Sequence, residues 1–296
     1  MNKVGMRMFR TISVIGGDLR QLTLAKGLEQ DGNRVSICGF DKNSDTGNPL
    51  ELCELSEALK SDVVVLPLPV SHDQILLNAP FSSEKIRLCE LIKGLTSKQL
   101  VLGGKFTPAI LNLLSEQGVT VVDYFEREEL NVANAIPTAE GAIEIALAEL
   151  PITLHKSRCL VVGFGRIGKV LADRLKAFGA EVTVSARKCA DFAWIEAYGY
   201  RSVHSTQLGE IKLDYDVIFN TVPYLLFDDM CLKKLSSDCL LIDLASKPGG
   251  IDFEAAQRAG VKAIWALSLP GKSAPITSGE IIKTTVTNIM REMEES

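Results

Sequence analysis

The sequence has little of what marks metalloproteins, disulfide-rich proteins and several classes of hydrolase. Its three histidines show no metal-ligand spacing with one another or with cysteine, so we predict no metal site. The seven cysteines form no CxxC pair, and their odd number argues against a complete disulfide framework. We therefore expect a reducing compartment, the cytoplasm. Neither a GxSxG nor an HExxH motif occurs, so the sequence gives no support for the hydrolases that carry them.

The chain also lacks a strong excess of charge and a long apolar run. A formal net charge of −5 at pH 7 provides no long-range attraction to nucleic acid or to anionic lipid. No uncharged apolar run approaches the roughly 18 residues of a membrane-spanning helix, and the apolar stretch at 12–15 is too short for a signal peptide. We expect neither nucleic acid nor a membrane as a partner.

What the 296 residues do contain is a regular alternation of short apolar runs with helical patterns. This alternation is typical of βαβ units and parallel sheets. We therefore predict an α/β protein with two doubly wound, Rossmann-like parallel-sheet domains joined by a long helix. The predicted strands of the first domain are 11–15, 34–39, 62–66, 99–102 and 120–123, and those of the second are 158–163, 181–185, 200–203, 215–220, 239–243 and 262–267.

Three boundaries follow from this pattern. Residues 1–136 with a C-terminal helix at 276–296 are predicted to form a domain for substrate or partner, 137–150 a connector helix, and 151–275 the nucleotide-binding domain. The connector is predicted to begin after Pro137 because Thr138 can cap a helix. Strands of both sheets would then direct their carboxyl ends toward a cleft between the domains.

A glycine motif directly follows the first strand of the second domain and precedes a helical pattern. In that position the first glycine permits a tight turn, the second lets the backbone approach a pyrophosphate, and the third lets the helix pack closely on the sheet. The alternative is a tight strand-to-helix turn without a ligand. We predict a dinucleotide bound by residues Gly163, Phe164, Gly165, Arg166, Ile167 and Gly168.

The end of the next strand favours NADP over NAD as the cofactor. NAD-binding domains carry an acidic residue there for the ribose hydroxyls. This sequence has Ser185 and Arg187 instead, which could donate a hydrogen bond to a 2′-phosphate and pair with it. The alternative is that Arg187 and its neighbour Lys188 are only the solvated start of a helix.

The first domain has a glycine pair, Gly16 and Gly17, but an acid follows it. Asp18 would itself cap the helix and repel a pyrophosphate, so we predict no second nucleotide. Arg20 and Gln21 stand in the first helical turn, where they could bind a carboxylated substrate. A salt bridge is the alternative for Arg20.

Other candidate residues lie on predicted loops near the nicotinamide ring or at the hinge. Lys247 could bind a substrate carboxylate or shuttle a proton, and an exposed loop lysine is the alternative. We predict catalytic roles for Lys247, Ser246 and Glu140, cofactor contacts for Thr221 and Pro223, and substrate contacts for Asn134, Thr138, Lys272 and Thr277. Helix capping is the alternative for Thr138 and Glu140, and positioning of the last helix is the alternative for the loop at 269–279.

Taken together, several segments resemble the family of dipicolinate synthase A subunits over nearly the whole chain. They are 16–21 (GGDLRQ), 125–127 (FER), 134–141 (NAIPTAEG), 163–168 (GFGRIG), 243–250 (DLASKPGG) and 269–275 (LPGKSAP). One departure is Lys247, where the family pattern leads us to expect arginine, and this puts a bidentate carboxylate contact in doubt.

The resemblance implies an NADP-dependent enzyme that dehydrogenates dihydrodipicolinate to dipicolinate, in the cytoplasm of the mother cell of a sporulating bacterium. The partner that it implies is the flavoprotein-like B subunit of dipicolinate synthase. It also implies a domain arrangement like that of D-2-hydroxy-acid dehydrogenases, and a homodimer is possible. The alternatives are a binding subunit without catalysis and a generic 2-hydroxy-acid dehydrogenase. No histidine follows the fifth or sixth strand of the second domain, and this absence disfavours the generic enzyme.

Overall fold

The computed structural model describes residues 11–42 and 50–295. The chain divides into two compact units, of which the first is 1–133 with 275–296 and the second is 134–274. Each unit contains one six-stranded sheet with helices, and every strand pair is parallel. The predicted fold class, two Rossmann-like α/β sheets, is confirmed.

The sheet of the first unit has the strand order β3-β2-β1-β4-β5-β6. Its strands are β1 (Thr11–Ile15), β2 (Arg34–Cys38), β3 (Glu51–Leu52), β4 (Val63–Val65), β5 (Leu100–Gly103) and β6 (Thr120–Asp123). Its helices are α1 (Leu19–Gln30), α2 (Leu55–Ala58), α3 (Leu88–Lys93), α4 (Pro108–Glu116), the start of α5 (Glu128–Glu149) and, at the end of the chain, a helix over Pro275–Glu295. The two-residue strand β3 and the helix α2 are too short to leave a periodic signal in the sequence.

The sheet of the second unit has the order β12-β11-β10-β7-β8-β9. Its strands are β7 (Arg158–Val162), β8 (Glu181–Ala186), β9 (Arg201–His204), β10 (Val217–Asn220), β11 (Leu240–Asp243) and β12 (Lys262–Trp265). Besides the rest of α5, its helices are α6 (Arg166–Ala177), α7 (Cys189–Ala197), α8 (Asp229–Leu232), α9 (Phe253–Arg258) and α10 (Leu269–Ser273). The last helix of the chain, over Pro275–Glu295, belongs to the first unit and is called α11.

Both faces of each sheet are buried, which explains the nearly continuous apolar runs of the strands. Along β7, Cys159 and Val161 pack into one core cluster, whereas Leu160 and Val162 pack into another on the opposite face. All four side chains are fully buried. Burial of a large aliphatic side chain stabilises a fold by about 1.5–3 kcal/mol, so these strands are held in the sheet from both sides.

Helix α11 packs along helix α1 of the first unit. Its buried residues Ile282, Val286 and Ile289 belong to the core cluster that also contains residues of α1. Lys283 Nζ lies 2.5 Å from Asp31 Oδ2 at the end of α1. The two backbones approach closely, since a Cβ atom added to Gly279 would lie 2.5 Å from the carbonyl oxygen of Arg20.

Helix α5 differs from the predicted connector. It begins at Glu128, ten residues before the predicted start at Thr138, and it continues through Pro137. Proline lacks the N–H that would reach back one turn, so the helix continues there without that hydrogen bond. Thr138 is therefore no cap, and its hydroxyl instead donates to the carbonyl oxygen of Asn134 at 2.7 Å.

The C-terminal helix predicted at 276–296 is present, but the sequence did not predict the short helix that precedes it. Residues Leu269–Ser273 form the short helix α10, and α11 starts directly after it at Pro275, a residue that is favoured in the first turn of a helix.

Among the helices of the described residues, none combines the length and the apolar character that a membrane span requires.

The close approach of α1 and α11 gives a stability prediction. Gly279→Ala should lower the free energy of unfolding by about 1–3 kcal/mol, because the new methyl group would overlap backbone atoms of α1 that cannot move aside. Gly27→Ala is the matched control, since its nearest neighbour would be the flexible Lys283 side chain at 3.5 Å. That change should stabilise the protein by about 0.5–1 kcal/mol through helix propensity. Urea unfolding of both variants measures the difference, and equal effects of the two would contradict the packing.

Candidate functional site

Two of the three glycines in the loop at 163–168 are required by the packing of the chain itself. Gly163 has φ +98°, and its N–H donates to the Ser185 carbonyl oxygen at 2.9 Å. A Cβ atom on Gly168 would lie 2.0 Å from the Gly163 carbonyl oxygen. The turn and the close approach of helix α6 to strand β7 therefore both depend on glycine.

Gly165 has a different environment from the other two. Its φ of −81° is open to any residue, and a Cβ atom added there would meet nothing within 4 Å. The residue is exposed, and it stands at the N-cap of α6 without a side-chain hydrogen bond to the helix. No contact within the described part of the chain requires glycine at this position. An open backbone at a helix N-terminus is the arrangement that admits a pyrophosphate, so the loop fits a dinucleotide.

The other predicted side chains of the loop point in different directions. Phe164 is buried, with its ring edge-on to Tyr198 at 6.3 Å and to Tyr200 at 6.5 Å. Ile167 is half-buried against the core of the unit. Arg166 is exposed. Phe164 and Ile167 therefore hold the loop in place, and they could contribute to ligand binding through their backbone only.

Ser185 is a correction at the end of strand β8. Its side chain is fully buried, and its hydroxyl shares a hydrogen bond of 2.6 Å with the hydroxyl of Ser205. Because the strand continues to Ala186, Ser185 still lies within the sheet and cannot reach a phosphate beyond its edge. Arg187 is exposed just past the strand, and no hydrogen bond or ion pair joins it to another described residue.

The loop after strand β10 lies next to the glycine loop. Thr221 donates its hydroxyl hydrogen to the Val162 carbonyl oxygen at 2.8 Å, and its oxygen would be 2.4 Å from a Cβ atom on Gly163. Pro223 is exposed two residues further on. The structure therefore brings Thr221 against the glycine loop, as its predicted contact with the cofactor requires.

Sequence reasoning missed the pair of side chains that organises these loops. Asn220 and Asp243 are the last residues of β10 and β11 and lie side by side in the register of the sheet. Both are fully buried, and the Asn220 amide donates to Asp243 Oδ1 at 2.8 Å. The signal that could have revealed them is a polar residue at the end of each of two apolar strands.

Ser246 and Lys247 lie on the loop that follows β11, and both are exposed. Strand β10 stands between β7 and β11, so this loop, the Thr221 loop and the glycine loop follow three neighbouring strands at one edge of the sheet. The Lys247–Pro248 peptide bond is cis. The loops of the second unit thus place a cation, Lys247, and a hydroxyl, Ser246, at the edge where ligands bind in such sheets.

The predicted catalytic role of Glu140 is not supported. Glu140 lies on the exposed side of α5, where its carboxylate pairs with Arg174 of α6 at 3.3 Å. The substrate contacts predicted for Asn134 and Thr138 lack the helix N-terminus that would favour an anionic ligand there, because the helix begins at Glu128 instead. Asn134 Oδ1 is buried and has no hydrogen-bond partner among the residues that the structure describes.

In the first unit the structure gives Arg20 and Gln21 internal partners. Asp18 caps α1 as predicted, and it forms a capping box with Gln21, which is fully buried. Arg20 Nη2 lies 2.8 Å from Asp18 Oδ2 and 2.6 Å from the Leu68 carbonyl oxygen, and only 12% of the Arg20 side chain is exposed. Gln21 is thus a correction: it is a structural residue, and Arg20 forms the predicted alternative, a salt bridge.

The last two substrate candidates lie on separate helices. Lys272 is exposed on α10, and Thr277 is exposed in the first turn of α11. They belong to different units of the chain.

Two cysteines on the strands of the second unit, Cys159 and Cys239, are buried in environments that suppress thiolate chemistry. Burial raises the pKa of the Cys159 thiol to about 11 and that of the Cys239 thiol to about 12. A thiol with such a pKa stays protonated at neutral pH and is a poor nucleophile. Across residues 11–42 and 50–295, no group of three or more His, Cys, Asp or Glu side chains could hold a metal ion.

Two family models match the chain, one in each half. Residues 11–125 match the N-terminal domain of the dipicolinate synthase A subunit. Residues 140–247 match the D-isomer specific 2-hydroxyacid dehydrogenase, NAD binding domain.

Full-length relatives match over almost the whole chain. The dipicolinate synthase A subunit of Bacillus subtilis (strain 168) is 32% identical over 286 residues, which cover 96% of each protein. The crystal structure of the dipicolinate synthase A subunit from Bacillus halodurans is 32% identical, covers 95% of this chain and 97% of its own, and has a TM-score of 0.87. The transhydrogenase structure from Sinorhizobium meliloti covers 96% of this chain and 94% of its own, with a TM-score of 0.70 and 16% identity, and shows the same fold.

The open environment of Gly165 gives a binding prediction. Gly165→Asp reproduces the Asp18 cap of α1, so the free energy of unfolding should stay within about 1 kcal/mol of the parent or rise. Binding of NADP+ should weaken at least about 100-fold, because a carboxylate at the helix N-terminus would repel the pyrophosphate.

Gly165→Ser is the control, since serine caps a helix without adding charge. It should weaken binding much less than Gly165→Asp does. Titration of protein fluorescence with NADP+ measures binding, and urea unfolding measures stability. An unchanged affinity in Gly165→Asp would show that the pyrophosphate does not lie at this helix.

Proposed function

Because the chain belongs to the family of dipicolinate synthase A subunits, we propose that it dehydrogenates dihydrodipicolinate to dipicolinate with NADP+ as the oxidant. The second half of the chain is an NAD-binding domain of the 2-hydroxyacid dehydrogenase type, and the chain is an oxidoreductase that uses a nicotinamide dinucleotide. The observation that carries the proposal is the family membership over 96% of the chain together with the fit of the glycine loop.

The proposed reaction converts dihydrodipicolinate and NADP+ to dipicolinate, NADPH and a proton. Bound NADP+ supplies the hydride acceptor at its nicotinamide ring. One C–H bond of the dihydropyridine breaks with its electron pair, a proton leaves from the ring, and the remaining electrons complete the aromatic system. The aromaticity of the product makes this step favourable. The main task of the protein is therefore to bind and orient NADP+ and dihydrodipicolinate.

The choice of NADP over NAD is supported by the charges at the end of β8. NAD-binding domains carry an acidic residue at the end of this strand, and this chain has none there. Arg187 is exposed where the 2′-phosphate would lie. A guanidinium can hold a phosphate through two parallel hydrogen bonds. With Ser185 buried, we assign the selectivity to Arg187 alone among the predicted residues.

Lys247 is the proposed ligand for a substrate carboxylate. Its loop follows β11, two strands away from the glycine loop, and its side chain is exposed at that edge of the sheet. An ammonium binds a carboxylate as a point charge, without the two-point geometry of arginine. We propose that Ser246 donates a hydrogen bond to the same ligand. Arg20 is a weaker candidate than Lys247, because its guanidinium is already engaged with Asp18.

A partner protein is part of the proposal. The relatives are named as one lettered subunit of dipicolinate synthase, which implies at least one other, and we propose a flavoprotein-like B subunit and a role in spore formation. The second candidate function is a protein that binds cofactor or substrate while the partner performs the oxidation. The pairing of Glu140 with Arg174 favours this alternative, because it engages the one carboxylate among the residues that were predicted to be catalytic.

The function is tested by the absorbance of reduced nicotinamide. NADP+ is mixed with freshly generated dihydrodipicolinate and with the chain alone, and then with its partner added. Turnover by the chain alone would support the dehydrogenase. Absorbance that stays flat until the partner is added would favour the binding role.

Arg187→Ala tests the cofactor choice in the same assay. The KM for NADP+ should rise at least about 10-fold, because a charge-assisted hydrogen bond contributes about 1.5–3 kcal/mol, whereas the KM for NAD+ should change little. Arg201→Ala is the matched control, since Arg201 is an exposed arginine at the start of β9 that pairs with Glu181. Equal effects of Arg187→Ala on the two cofactors would be evidence against a 2′-phosphate contact.

A further inference from the structure

We propose that Asp243 and Asn220 are positioning residues, which together lock the loop at residues 244–250 and so hold Lys247 in place for its ligand. The inference rests on the proposed function of the second unit, because that function gives Lys247 its role. It assigns no direct contact with substrate to Asp243 or Asn220, since both are fully buried.

The carboxylate of Asp243 closes the loop at both ends. Its Oδ1 accepts from the N–H of Ala245 at 3.0 Å, and its Oδ2 accepts from the N–H of Gly250 at 2.8 Å. The residues that it joins stand on either side of Ser246 and Lys247. The loop between them is therefore fixed at its beginning and its end by one side chain.

The amide of Asn220 connects this loop to its neighbour. It donates to Asp243 Oδ1 at 2.8 Å and to the Val222 carbonyl oxygen at 3.0 Å, and its own oxygen accepts from the Val222 N–H at 3.1 Å. Val222 adjoins Thr221, which contacts the glycine loop. The pair thus ties the Lys247 loop to the loop beside the proposed cofactor.

Stability alone does not explain a buried carboxylate at this position. Among the described residues, Asp243 is the only charged side chain in the buried interior. Burial of a charge is costly, and replacement of a buried charged group by apolar residues often leaves stability unchanged or raises it. The three hydrogen bonds that offset the cost all fix backbone or side chains of the two loops at the ligand edge of the sheet. We infer that loop geometry is the property that this carboxylate serves.

The glycines of the loop have a matching fit. A Cβ atom on Gly250 would lie 2.3 Å from the Asn220 amide nitrogen, and one on Gly249 would lie 2.9 Å from Asp243 Oδ2. The loop backbone therefore packs directly on the two side chains, and a change in either of them must move it.

The loop also carries its own spectroscopic reporter. Trp265 donates its indole N–H to the Ala245 carbonyl oxygen at 3.1 Å, and its ring lies 3.2 Å from the Cβ position of Gly249. The chain has two tryptophans, and the other, Trp194, is on α7. In a Trp194→Phe background the fluorescence therefore comes from Trp265 and reports the state of the loop.

Asp243→Asn is the first test. Asp243 accepts hydrogen bonds from the Asn220 amide and from the N–H groups of Ala245 and Gly250. The amide group of the new asparagine must direct an N–H toward at least one of these donors, so one end of the loop is released. In the Trp194→Phe background we expect Trp265 emission to shift to longer wavelength. The affinity for added dipicolinate should fall at least about 10-fold, whereas the Kd for NADP+ should change by less than about threefold. Asp252→Asn is the control, because Asp252 caps α9 two residues beyond the loop and asparagine caps equally well.

Asn220→Asp is the second test, and it does not depend on the stability of the first variant. It places a carboxylate against that of Asp243, and two such groups must share a proton. The shared proton replaces the amide N–H at low pH. As the pH rises through the raised pKa of the pair, the proton is lost and repulsion opens the loop. Dipicolinate affinity and the Trp265 emission of this variant should therefore approach those of the parent at low pH and depart from them at high pH.

The readouts distinguish a failure of the proposed function from a failure of the positioning role. If the parent protein neither turns over dihydrodipicolinate nor binds dipicolinate, the proposed function fails, whereas Trp265 still shows whether Asp243 locks the loop. If dipicolinate binds to the parent and to Asp243→Asn with equal affinity and Trp265 emission is unchanged, the positioning role is overturned. A response of Asn220→Asp that does not vary with pH would overturn it as well.

Discussion

Helix α6 begins so close to strand β7 that a single methyl group on Gly168 would overlap the carbonyl oxygen of Gly163. This contact fixes the turn between the strand and the helix, and the side chain of Thr221 packs against the same turn. The roles proposed for the other candidate residues depend on the position of the glycine loop. Arg187 and Lys247 matter only because they lie at the same edge, after strands β8 and β11 of the same sheet.

The two units show how one architecture leads to different surfaces. Each has a strand, a glycine turn and a helix at the centre of its sheet. In the first unit the N-terminus of α1 is capped by Asp18, which also binds Arg20. In the second unit the N-terminus of α6 is left open by Gly165. A single residue at the N-cap thus decides whether the positive end of the helix dipole is neutralised internally or offered to an anion.

The regular elements could be predicted from the sequence because their causes are local. Strands buried on both faces need continuous apolar runs, and the strands β1 and β6 have the predicted ends. The Asp18 cap was predictable for the same reason, since capping involves neighbours within one turn. The start of α5 could not be predicted in this way. Pro137 followed by Thr138 is a pattern typical of a helix start, but in the tertiary structure the helix begins earlier and continues through Pro137.

The sequence by itself determined the fold class, the glycine loop and the absence of an acid after β8, because each of these depends on residue types at fixed short spacings. Only the tertiary structure decided which polar side chains are available to a ligand. It buries Ser185 against Ser205, pairs Glu140 with Arg174 and engages Arg20 with Asp18. It also joins Asn220 to Asp243, 23 residues apart in the chain. The reason is that a side chain's exposure and partners are set by the elements packed around it, and no local pattern records which elements those are.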